Sequence, residues 1–291
     1  MWIHALAAVL AFQLIETLAQ QGCATIYVSR EDFDCAGFSR DTLVELTEAI
    51  TTDDYGFCTK QEIAMFFGQA KHEGGLDPTR QVEFCVEQGT CDINEFNICS
   101  WNPSVRPATG KHYRGRGPIQ LSYSCNYKLA GDALGTDLLS NPDRMLTDDA
   151  LSWGTALWFW NLESSGTSAH EAALDMNFGD ITRQINGALE CDGGPLAGHQ
   201  LQRAAHYRDI AHCMGLQPSD TNLFCTPELT LEDLPPLNLQ TSGSPDGMDT
   251  TPPEPSGAPP PQGPGADSPS HATQLNSAIF LSIVILFRVL M

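Results

Sequence analysis

The most regular pattern of apolar residues in the chain lies between Ile63 and Glu73. Ile63, Phe66, Phe67 and Ala70 recur at intervals of three and four residues, which is the spacing of one face of an α-helix. Another step of three from Ala70 reaches Glu73, so the pattern places a carboxylate on the buried face. A charged side chain is unusual there, because burying a carboxylate is costly unless it is paired.

Both ends of this helix carry recognisable signals. The segment TKQE at residues 59–62 fits a capping box, with Thr59 as the N-cap and the Glu62 carboxylate accepting from the Thr59 N–H. Gly74 and Gly75 end the helix and leave open backbone beside Glu73. Two interpretations of Glu73 follow: it pairs with an arginine and braces the fold, or it takes part in chemistry in a cleft.

Five further segments show the periodicity of amphipathic or buried helices. They start at residues 41 (DTLVEL), 122 (SYSCNYKLAGDALG), 148 (DDALSWGTALWFWNL), 179 (GDITRQINGALEC) and 199 (HQLQRAAHYRDIAHCMGL). In the segment at 148, the residues predicted to lie in the core are Leu151, Ala156, Leu157, Phe159 and Trp160. Period-two alternation is nearly absent, which argues against a β-sandwich or a β-barrel. The sequence therefore predicts one mainly α-helical domain over residues 20–225.

Residues 76–117 form a long segment without clear periodicity, and three of the cysteines lie in it. A loop of this length inside a compact domain is usually functional. Glu83 and Glu87 lie in this segment, shortly after Glu73. Glycoside hydrolysis needs two carboxylates across a cleft: one in an apolar setting donates a proton, and a more solvated one activates water or attacks carbon. Glu73 has the apolar setting, and either Glu83 or Glu87 has the polar one.

The N-terminal segment and the cysteines together indicate export. Residues 1–19 are apolar, lack Lys and Arg, and carry small residues before a cleavage point after Ala19, which is typical of a secretory signal peptide. The ten cysteines, spread from Cys23 to Cys225, then predict an oxidising compartment and several disulfides. No CxxC pair or HExxH run indicates a metal site, and the histidines are spread along the chain. We therefore expect neither a metal nor a cofactor.

The strongly acidic charge narrows the choice of partner. The formal net charge is −21 at pH 7. Binding of nucleic acid needs basic patches, so the charge excludes nucleic acid as the expected partner. An anionic polymer such as peptidoglycan is disfavoured for the same reason, whereas a neutral substrate is compatible.

The composition of the chain changes after Cys225. Twelve of the 19 prolines lie between residues 227 and 269, with Ser, Thr and Gly among them, so residues 226–265 are predicted to be a disordered, extended stalk. The final apolar run, SAIFLSIVILFRVLM, has about 15 residues, whereas a spanning helix needs roughly 20. Small residues and a polar spacer precede it, which is typical of a GPI-anchor signal, here residues 266–291, that is removed. A short tail anchor and an uninformative C-terminal end are the alternatives.

Four motifs together resemble the catalytic domain of glycoside hydrolase family 19 chitinases. They are KHEGG, HYRGRGPIQLSYSCNYKLAGDALGTDLLSNPD, TALWFW and INGALECDGG, in this order over residues 63–225. The bacterial branch looks closer than the plant branch, because the loop after the KHEGG helix is short and contains VEQ. The resemblance implies a helical, two-lobed, lysozyme-like fold. It also implies cleavage of β-1,4 bonds between N-acetylglucosamine units, with inversion.

The resemblance also implies roles for individual residues. Glu73 matches the general acid, Glu87 matches the general base, and Ser122 matches the serine that helps to hold the attacking water. Glu83 remains an alternative base, because the loop length differs between branches. The positions that match substrate contacts are Tyr113, Gln120, Asn126 and Asn186.

Two more residues match an ion network that supports the acid. Glu190 and Arg203 correspond to an acidic and a basic residue that interact with the general acid in the family. This would make Arg203 a partner of Glu73 in both catalysis and structure, which unites the two interpretations of Glu73.

The resemblance covers part of the disulfide pairing. It implies bonds between Cys91 and Cys99 and between Cys191 and Cys225. A bond between Cys58 and Cys85 would tie the start of the catalytic helix to the general-base loop. Elimination then leaves two pairs, which are Cys23 with Cys35 and Cys125 with Cys213.

The sequence thus predicts a monomeric, endo-acting chitinase held at the outer cell surface by a lipid anchor in the outer leaflet. Its expected substrate is chitin or chitin oligosaccharides. One alternative is a binding protein on the same fold that has lost turnover, although retention of Glu73, Glu87 and Ser122 argues against it. A second alternative is a hydrolase of bacterial cell-wall glycan, which the acidic charge disfavours.

Overall fold

The structure is a computed structural model of the 291-residue chain, and it describes residues 24–53, 55–75, 77, 81–82, 102–163 and 166–237. Residues 53 and 82 are described by their backbone only. Several predicted features lie outside the described residues: the signal peptide, most of the stalk, the anchor signal, Glu83, Glu87, Cys23, Cys85, Cys91 and Cys99.

The described residues form eight α-helices and very little strand. The helices are α1 (Arg30–Ala36), α2 (Leu43–Asp53), α3 (Lys60–Gly74), α4 (Ser124–Ala133), α5 (Asp149–Asn161), α6 (Ala169–Leu174), α7 (Phe178–Glu190) and α8 (His199–Cys213). Two 3-10 segments cover Pro142–Leu146 and Leu231–Asp233, and β1 (Gln81–Val82) pairs antiparallel with β2 (Gly115–Arg116). These bounds confirm the mainly helical fold, and each segment with helical periodicity forms a helix.

Hydrophobic periodicity does not predict α1 and α6, because helices of seven and six residues are too short to show it. Both nevertheless begin with a complete capping box, Ser29 with Asp32 and Ser168 with Glu171. These pairs are visible in the sequence and would have located both helices. None of the helices in the described part of the chain is long and apolar enough to cross a membrane.

Helix α3 is buried on all sides along its middle. The four apolar residues of its predicted stripe are fully buried, and so are the residues between them. Helix α8 packs so closely against α3 that a Cβ added to Gly68 would lie 2.8 Å from the Tyr207 Cα. Because a Cβ does not approach another backbone atom so closely, only glycine allows the two helices to meet here. This contact sets the C-terminal half of α3 directly against α8.

The N-terminus of α3 has the predicted N-cap but not the predicted reciprocal bond. The Thr59 Oγ1 accepts a hydrogen bond from the Glu62 N–H at 3.0 Å. The Glu62 carboxylate accepts instead from the Cys58 N–H at 2.7 Å and the Trp160 Nε1–H at 2.9 Å, and it lies 2.6 Å from the His170 Nδ1. The predicted bond from Glu62 to the Thr59 N–H is therefore wrong, because Trp160 and His170 hold the carboxylate in the core.

The contact between Glu62 and His170 makes stability depend on pH. The hydrogen bond that His170 makes to the Glu62 carboxylate raises the pKa of His170, against the lowering effect of burial, and the charges of Glu62 and Glu171 raise it further. A raised pKa stabilises the fold fully below the ordinary histidine value of 6.5, and this stability is lost as the pH rises through the folded-state value. We expect the wild-type advantage in Tm over His170→Gln to shrink across that window in thermal denaturation. An advantage that stays constant with pH would contradict this linkage.

Two hydrophobic cores give the domain its two lobes. The larger core surrounds α3, and the smaller one is built from Tyr113, Leu121, Tyr127, Ala130, Leu138, Met145 and Trp158. Helix α5 contributes to both, with Trp153 and Trp160 in the larger core and Trp158 in the smaller one. Of the α5 residues predicted as core, Ala156, Leu157 and Trp160 are buried, while Leu151 and Phe159 are partly buried against the cores.

The disulfides confirm one predicted pair and correct two others. Cys191 is bonded to Cys225, as predicted, with Cα atoms 5.3 Å apart. Cys35 is bonded to Cys213 across a Cα–Cα distance of 5.5 Å, so the predicted pairs of Cys23 with Cys35 and Cys125 with Cys213 are both wrong. The reason is that α1 packs against α8, which elimination along the sequence does not reveal. Cys58 and Cys125 are each part of a disulfide as well.

The packed part of the chain continues beyond the predicted boundary at Cys225. Thr226 is buried, and Leu234 packs against the larger core. Between them, the 3-10 turn Leu231–Asp233 begins with a capping box formed by Thr230 and Asp233. The first residues of the predicted stalk therefore belong to the domain, because they still supply apolar surface and local hydrogen bonds.

Candidate active site

Glu73 lies on the last turn of α3, where the helix leaves the buried interior. Its side chain is 19% exposed, so the carboxylate borders both the core and the surface. Gly75 adopts the left-handed conformation with φ 61°, and its N–H donates to the Lys71 carbonyl at 3.1 Å, which ends the helix. The predicted helix end and the position of Glu73 beside it are confirmed.

The adjacent Gly74 brings a second segment against Glu73. A Cβ on Gly74 would lie 3.0 Å from the carbonyl oxygens of Gly117 and Pro118. The absence of a side chain at this position therefore allows the turn after β2 to pack on the end of α3. This turn leads directly to Gln120 and Ser122, which the sequence predicts as site residues.

Arg203 on α8 joins Glu73 to a second carboxylate. Its Nη2 is hydrogen-bonded to Glu73 and also to the Glu190 Oε1 at 2.7 Å, and its Nε donates to the Glu190 Oε2 at 2.8 Å. Arg203 is 1% exposed and Glu190 is completely buried. The predicted ion network is thus present, with one guanidinium shared between two carboxylates.

Further polar side chains hold this network in place. The Arg203 Nη1 donates to the Gln69 Oε1 at 2.8 Å, and the Gln69 amide donates to the Thr182 Oγ1 at 3.0 Å. The Gln200 amide donates to the Glu190 carbonyl at 2.5 Å. Gln69, Thr182 and Gln200 are missed by sequence reasoning. Gln69 carries a signal, because it lies four residues before Glu73 on the same helix face.

Asn186, predicted as a substrate contact, lies at the edge of the same network. Its amide donates to the Glu190 Oε1 at 2.7 Å. Its backbone, with φ −145° and ψ 31°, departs from helical geometry within α7. Its half-buried side chain therefore sits where the network borders the surface.

The Gln120 and Ser122 side chains lie together on the turn after β2. Gln120 has φ 53°, a left-handed conformation that costs a non-glycine residue on the order of 1–3 kcal/mol and is found more often at functional sites. Its amide donates to the Gly117 carbonyl at 2.7 Å, and the Ser122 hydroxyl donates to the Gln120 carbonyl at 2.9 Å. From α4, the Asn126 amide donates to the Ser122 carbonyl at 2.9 Å. Two predicted site residues thus lie on one turn, and Asn126 joins them from α4.

Tyr113, also predicted as a substrate contact, is fully buried in the smaller core. Its hydroxyl accepts from the Ala108 N–H at 2.8 Å and donates to the Leu139 carbonyl at 2.7 Å. Both hydrogen-bonding functions are therefore used within the protein. In this structure Tyr113 supports the loop and does not present its hydroxyl to solvent.

Arg116 is a structural residue of this region that sequence reasoning missed. It is buried, and its Nη1 donates to the Tyr127 hydroxyl at 2.9 Å and to the His112 carbonyl at 3.0 Å. Its Nη2 pairs with the Asp143 carboxylate at 2.6 Å. Arg116 thereby fixes β2 and the start of the Gln120 turn. The sequence does carry a signal for Arg116. It is the second arginine in YRGRGP and stands between two glycines, where its charge has no evident role unless it pairs within the fold.

Three histidines lie close together next to Glu73: His72 on α3, and His199 and His206 on α8. The His72 ring lies 5.2 Å from the His199 ring and 6.4 Å from the His206 ring, measured between centroids. Burial lowers the pKa of His72 to about 3, and the positive charge of Arg203 adds to this effect. His72 is therefore uncharged at neutral pH. These three rings lie close together although the histidines are spread along the chain.

The described residues thus bring together two groups of predicted site residues. Glu73, Asn186, Glu190 and Arg203 form one, and Gln120, Ser122 and Asn126 form the other. Gly74 and Gly117 pack the two against each other. An acidic group at a buried helix end beside a polar turn suits acid catalysis on a polar substrate. Glu83 and Glu87, the predicted bases, lie outside the described residues.

Comparison with known proteins agrees with this arrangement. The family model described as chitinase class I, glycoside hydrolase family 19, matches residues 41–225. Chitinase 5 of Oryza sativa subsp. japonica is 36% identical over 226 residues, which is 74% of this chain and 67% of that protein. Endochitinase EP3 of Arabidopsis thaliana is 36% identical over 210 residues, which is 68% of this chain and 69% of that protein.

Solved structures of bacterial enzymes match as well. A bacterial family 19 chitinase is 33% identical with a TM-score of 0.54, over 69% of this chain and 100% of that one. Chitinase C from Streptomyces griseus is 31% identical with a TM-score of 0.54, over 71% of this chain and 83% of that one. Plant and bacterial proteins match at similar identity, so the preference for the bacterial branch stays a prediction. The chain itself belongs to glycoside hydrolase family 19, the family of class I chitinases.

Proposed function

We propose that this protein hydrolyses the β-1,4 bonds between N-acetylglucosamine units of chitin, cutting within the polymer and inverting the anomeric carbon. The observation that carries the proposal is the placement of Glu73. Its carboxylate is partly exposed at the end of a buried helix, and it shares the buried Arg203 with Glu190. Membership of family 19 supports the same substrate, since its named relatives are chitinases and endochitinases.

In this mechanism Glu73 is the general acid. When protonated, it donates its proton to the oxygen that leaves as the glycosidic bond breaks. Arg203 then stabilises the carboxylate that remains. Arg203 makes two hydrogen bonds to Glu190 and one to Glu73, so one guanidinium orients both carboxylates.

The second carboxylate activates the attacking water. We assign this role to Glu87, with Glu83 as the alternative, and we assign Ser122 and Gln120 to hold the water and the sugar. An inverting enzyme keeps its carboxyl groups about 6.5–9.5 Å apart, which leaves room for a water molecule between the base and the sugar. Asn126 and Asn186 are proposed as further substrate contacts. Tyr113 is assigned to support the loop.

The choice of base leads to a prediction. If Glu87 is the base, Glu87→Gln should lose roughly 100- to 10,000-fold in kcat, because an amide cannot accept the proton of the attacking water. Glu83→Gln, in the same loop and with the same change of charge, should keep most of the activity. The reverse result in steady-state assays on a soluble chitin oligomer would move the assignment to Glu83.

One experiment tests the proposed function as a whole. The purified protein is incubated with chitin hexamer and, separately, with peptidoglycan, and early products are followed by proton NMR. We expect products from the chitin hexamer alone, with the newly formed reducing end first appearing as the α-anomer. A β-anomer would reject inversion. Products from peptidoglycan alone would mean that the substrate is bacterial cell-wall glycan. A lack of products together with retained oligomer binding would favour a binding protein.

We further propose that the protein acts outside the cell on a lipid anchor. The composition of residues 1–19, 226–265 and 266–291 supports a signal peptide, a Pro-rich stalk and a GPI-anchor signal respectively. At about 3 Å per residue, an extended stalk of roughly 40 residues reaches on the order of 100 Å, which would let an anchored enzyme meet a polymer beyond the bilayer.

The anchor has its own test. Phosphatidylinositol-specific phospholipase C should release active enzyme from intact cells into the medium, because it cleaves the lipid that holds a GPI-linked protein. A known GPI-linked protein in the same cells serves as the control. Release of the control protein while the enzyme stays with the membrane would favour a tail anchor.

A further inference from the structure

Two histidines from different helices converge beside the buried end of α3. His72 precedes Glu73 on α3, and His199 is the first residue of α8. Their ring centroids are 5.2 Å apart, and both side chains are half-buried. Among the described residues, neither imidazole makes a hydrogen bond to another group. Their ring nitrogens are therefore available to an additional ligand.

Glu190 adds an oxygen to this pair. One ring nitrogen of His72, one of His199 and a carboxylate oxygen of Glu190 all lie within 4.8 Å of one another. A second group of this kind, Cys58 with Glu62 and His170, is not comparable, because the Cys58 sulfur is in a disulfide. Of the two groups found among the described residues, the one at His72 is therefore the candidate metal site.

We propose that His72, His199 and Glu190 form a binding site for a divalent first-row transition metal ion such as Zn²⁺. Imidazole and carboxylate are the ligands that suit Zn²⁺, Cu²⁺ and Ni²⁺. Zn²⁺ with three protein ligands keeps a fourth position for water. With metal–ligand bonds of about 2.0–2.1 Å, tetrahedral ligand atoms stand about 3.3 Å apart.

The charges around the site favour a cation. Arg203 contributes one positive charge and Glu190 one negative charge, and Glu73 contributes a second negative charge whenever it is ionised. The formal sum with Glu73 ionised is −1, which attracts a metal ion. Glu190 accepts three hydrogen bonds, two from Arg203 and one from Asn186. A carboxylate has about four acceptor positions, so one remains for the metal.

A metal bound here would act on the proposed chemistry of the neighbouring Glu73. It would compete with Arg203 for Glu190 and so disturb the guanidinium that also contacts Glu73. The site therefore makes the enzyme sensitive to inhibition by transition metals. This inhibition rests on the proposed function, whereas the binding of the metal does not rest on it.

The test measures binding directly. The purified protein is titrated with zinc chloride near neutral pH by isothermal calorimetry, and we expect saturable binding of one ion per chain. His199→Gln should weaken the affinity at least about tenfold, since loss of a group that supports or forms a metal site has at least this effect. His206→Gln is the matched control, because His206 lies on the same helix and also faces His72 but is not one of the three ligands. It should bind like the wild type.

Three results would overturn the proposal. They are the absence of saturable binding to the wild type, unchanged affinity in His199→Gln with its fold intact by circular dichroism, and an equal loss in both variants. Electron paramagnetic resonance with Cu²⁺ gives a readout independent of activity, in which nitrogen hyperfine coupling from two imidazoles should fall to one in His199→Gln. In activity assays, Zn²⁺ should inhibit the wild type at concentrations that spare His199→Gln. If no activity is found at all, calorimetry still decides the site.

Discussion

Replacement of Glu73 by glutamine should remove nearly all hydrolysis while leaving the fold and oligomer binding intact. An amide cannot donate the proton that the leaving oxygen needs, and acid catalysis of this kind is worth roughly 100- to 10,000-fold in kcat. The amide oxygen still accepts from Arg203, so the network that holds Arg203 between Glu73 and Glu190 is kept. The measurements are kcat on a soluble chitin oligomer, oligomer affinity by calorimetry, and Tm.

The control for this change is Glu48→Gln. Glu48 is an exposed residue on α2, so it undergoes the same loss of charge away from the site. The activity of Glu48→Gln should equal that of the wild type. Near-wild-type turnover in Glu73→Gln would remove Glu73 from the mechanism. A Tm that falls steeply in Glu73→Gln would mean that the carboxylate mainly braces the fold.

The second large effect concerns stability, and it follows from the burial of Arg203. Arg203→Leu leaves the fully buried Glu190 without its partner and breaks the hydrogen bond to Gln69. Removal of one partner of a buried ion pair costs roughly 3–5 kcal/mol, because an uncompensated charge remains in the core. We expect a loss of this size in the free energy of unfolding, measured by urea denaturation with activity followed in parallel.

Two comparisons separate charge burial from loss of packing. Arg208→Leu on the same helix removes a pair between the partly buried Arg208 and the exposed Asp220 at 3.5 Å, and a pair with a solvent-exposed partner is worth about 0–1 kcal/mol. The double variant with Arg203→Leu and Glu190→Gln has no unpaired buried charge, so it should recover part of the stability. If Arg203→Leu costs no more than Arg208→Leu, the buried network does not stabilise the fold.

The ion network shows how far resemblance and pattern reach into the site. The helical stripe in the sequence led to Glu73, and the resemblance to family 19 supplied Glu190 and Arg203 as its partners. Neither indicated Gln69, Thr182 or Gln200, which complete the hydrogen bonds of the network. Amides and hydroxyls of this kind carry no periodic signal, because they matter only where the fold sets them against a buried charge.

Three other features could not be predicted from the sequence for the same reason: a histidine pair, a disulfide and the partners of Glu62. His72 and His199 are far apart in the chain, yet the close contact of Gly68 with Tyr207 packs α3 on α8 and brings their rings together. The Cys35–Cys213 bond depends on the packing of α1 on the same helix. Glu62 follows the expected capping position, but its carboxylate turns to partners from distant segments.

The sequence alone determined the features that depend on residues close together in the chain. These are the course of the main helices, the N-cap at Thr59, the glycine stop after Glu73, and the family to which the motifs belong. Only the tertiary structure decided which amides and hydroxyls complete the buried network, that Cys35 pairs with Cys213, and that Tyr113 points into a core. Such pairings depend on distances between segments that are remote in sequence, and those distances exist only once the helices have packed.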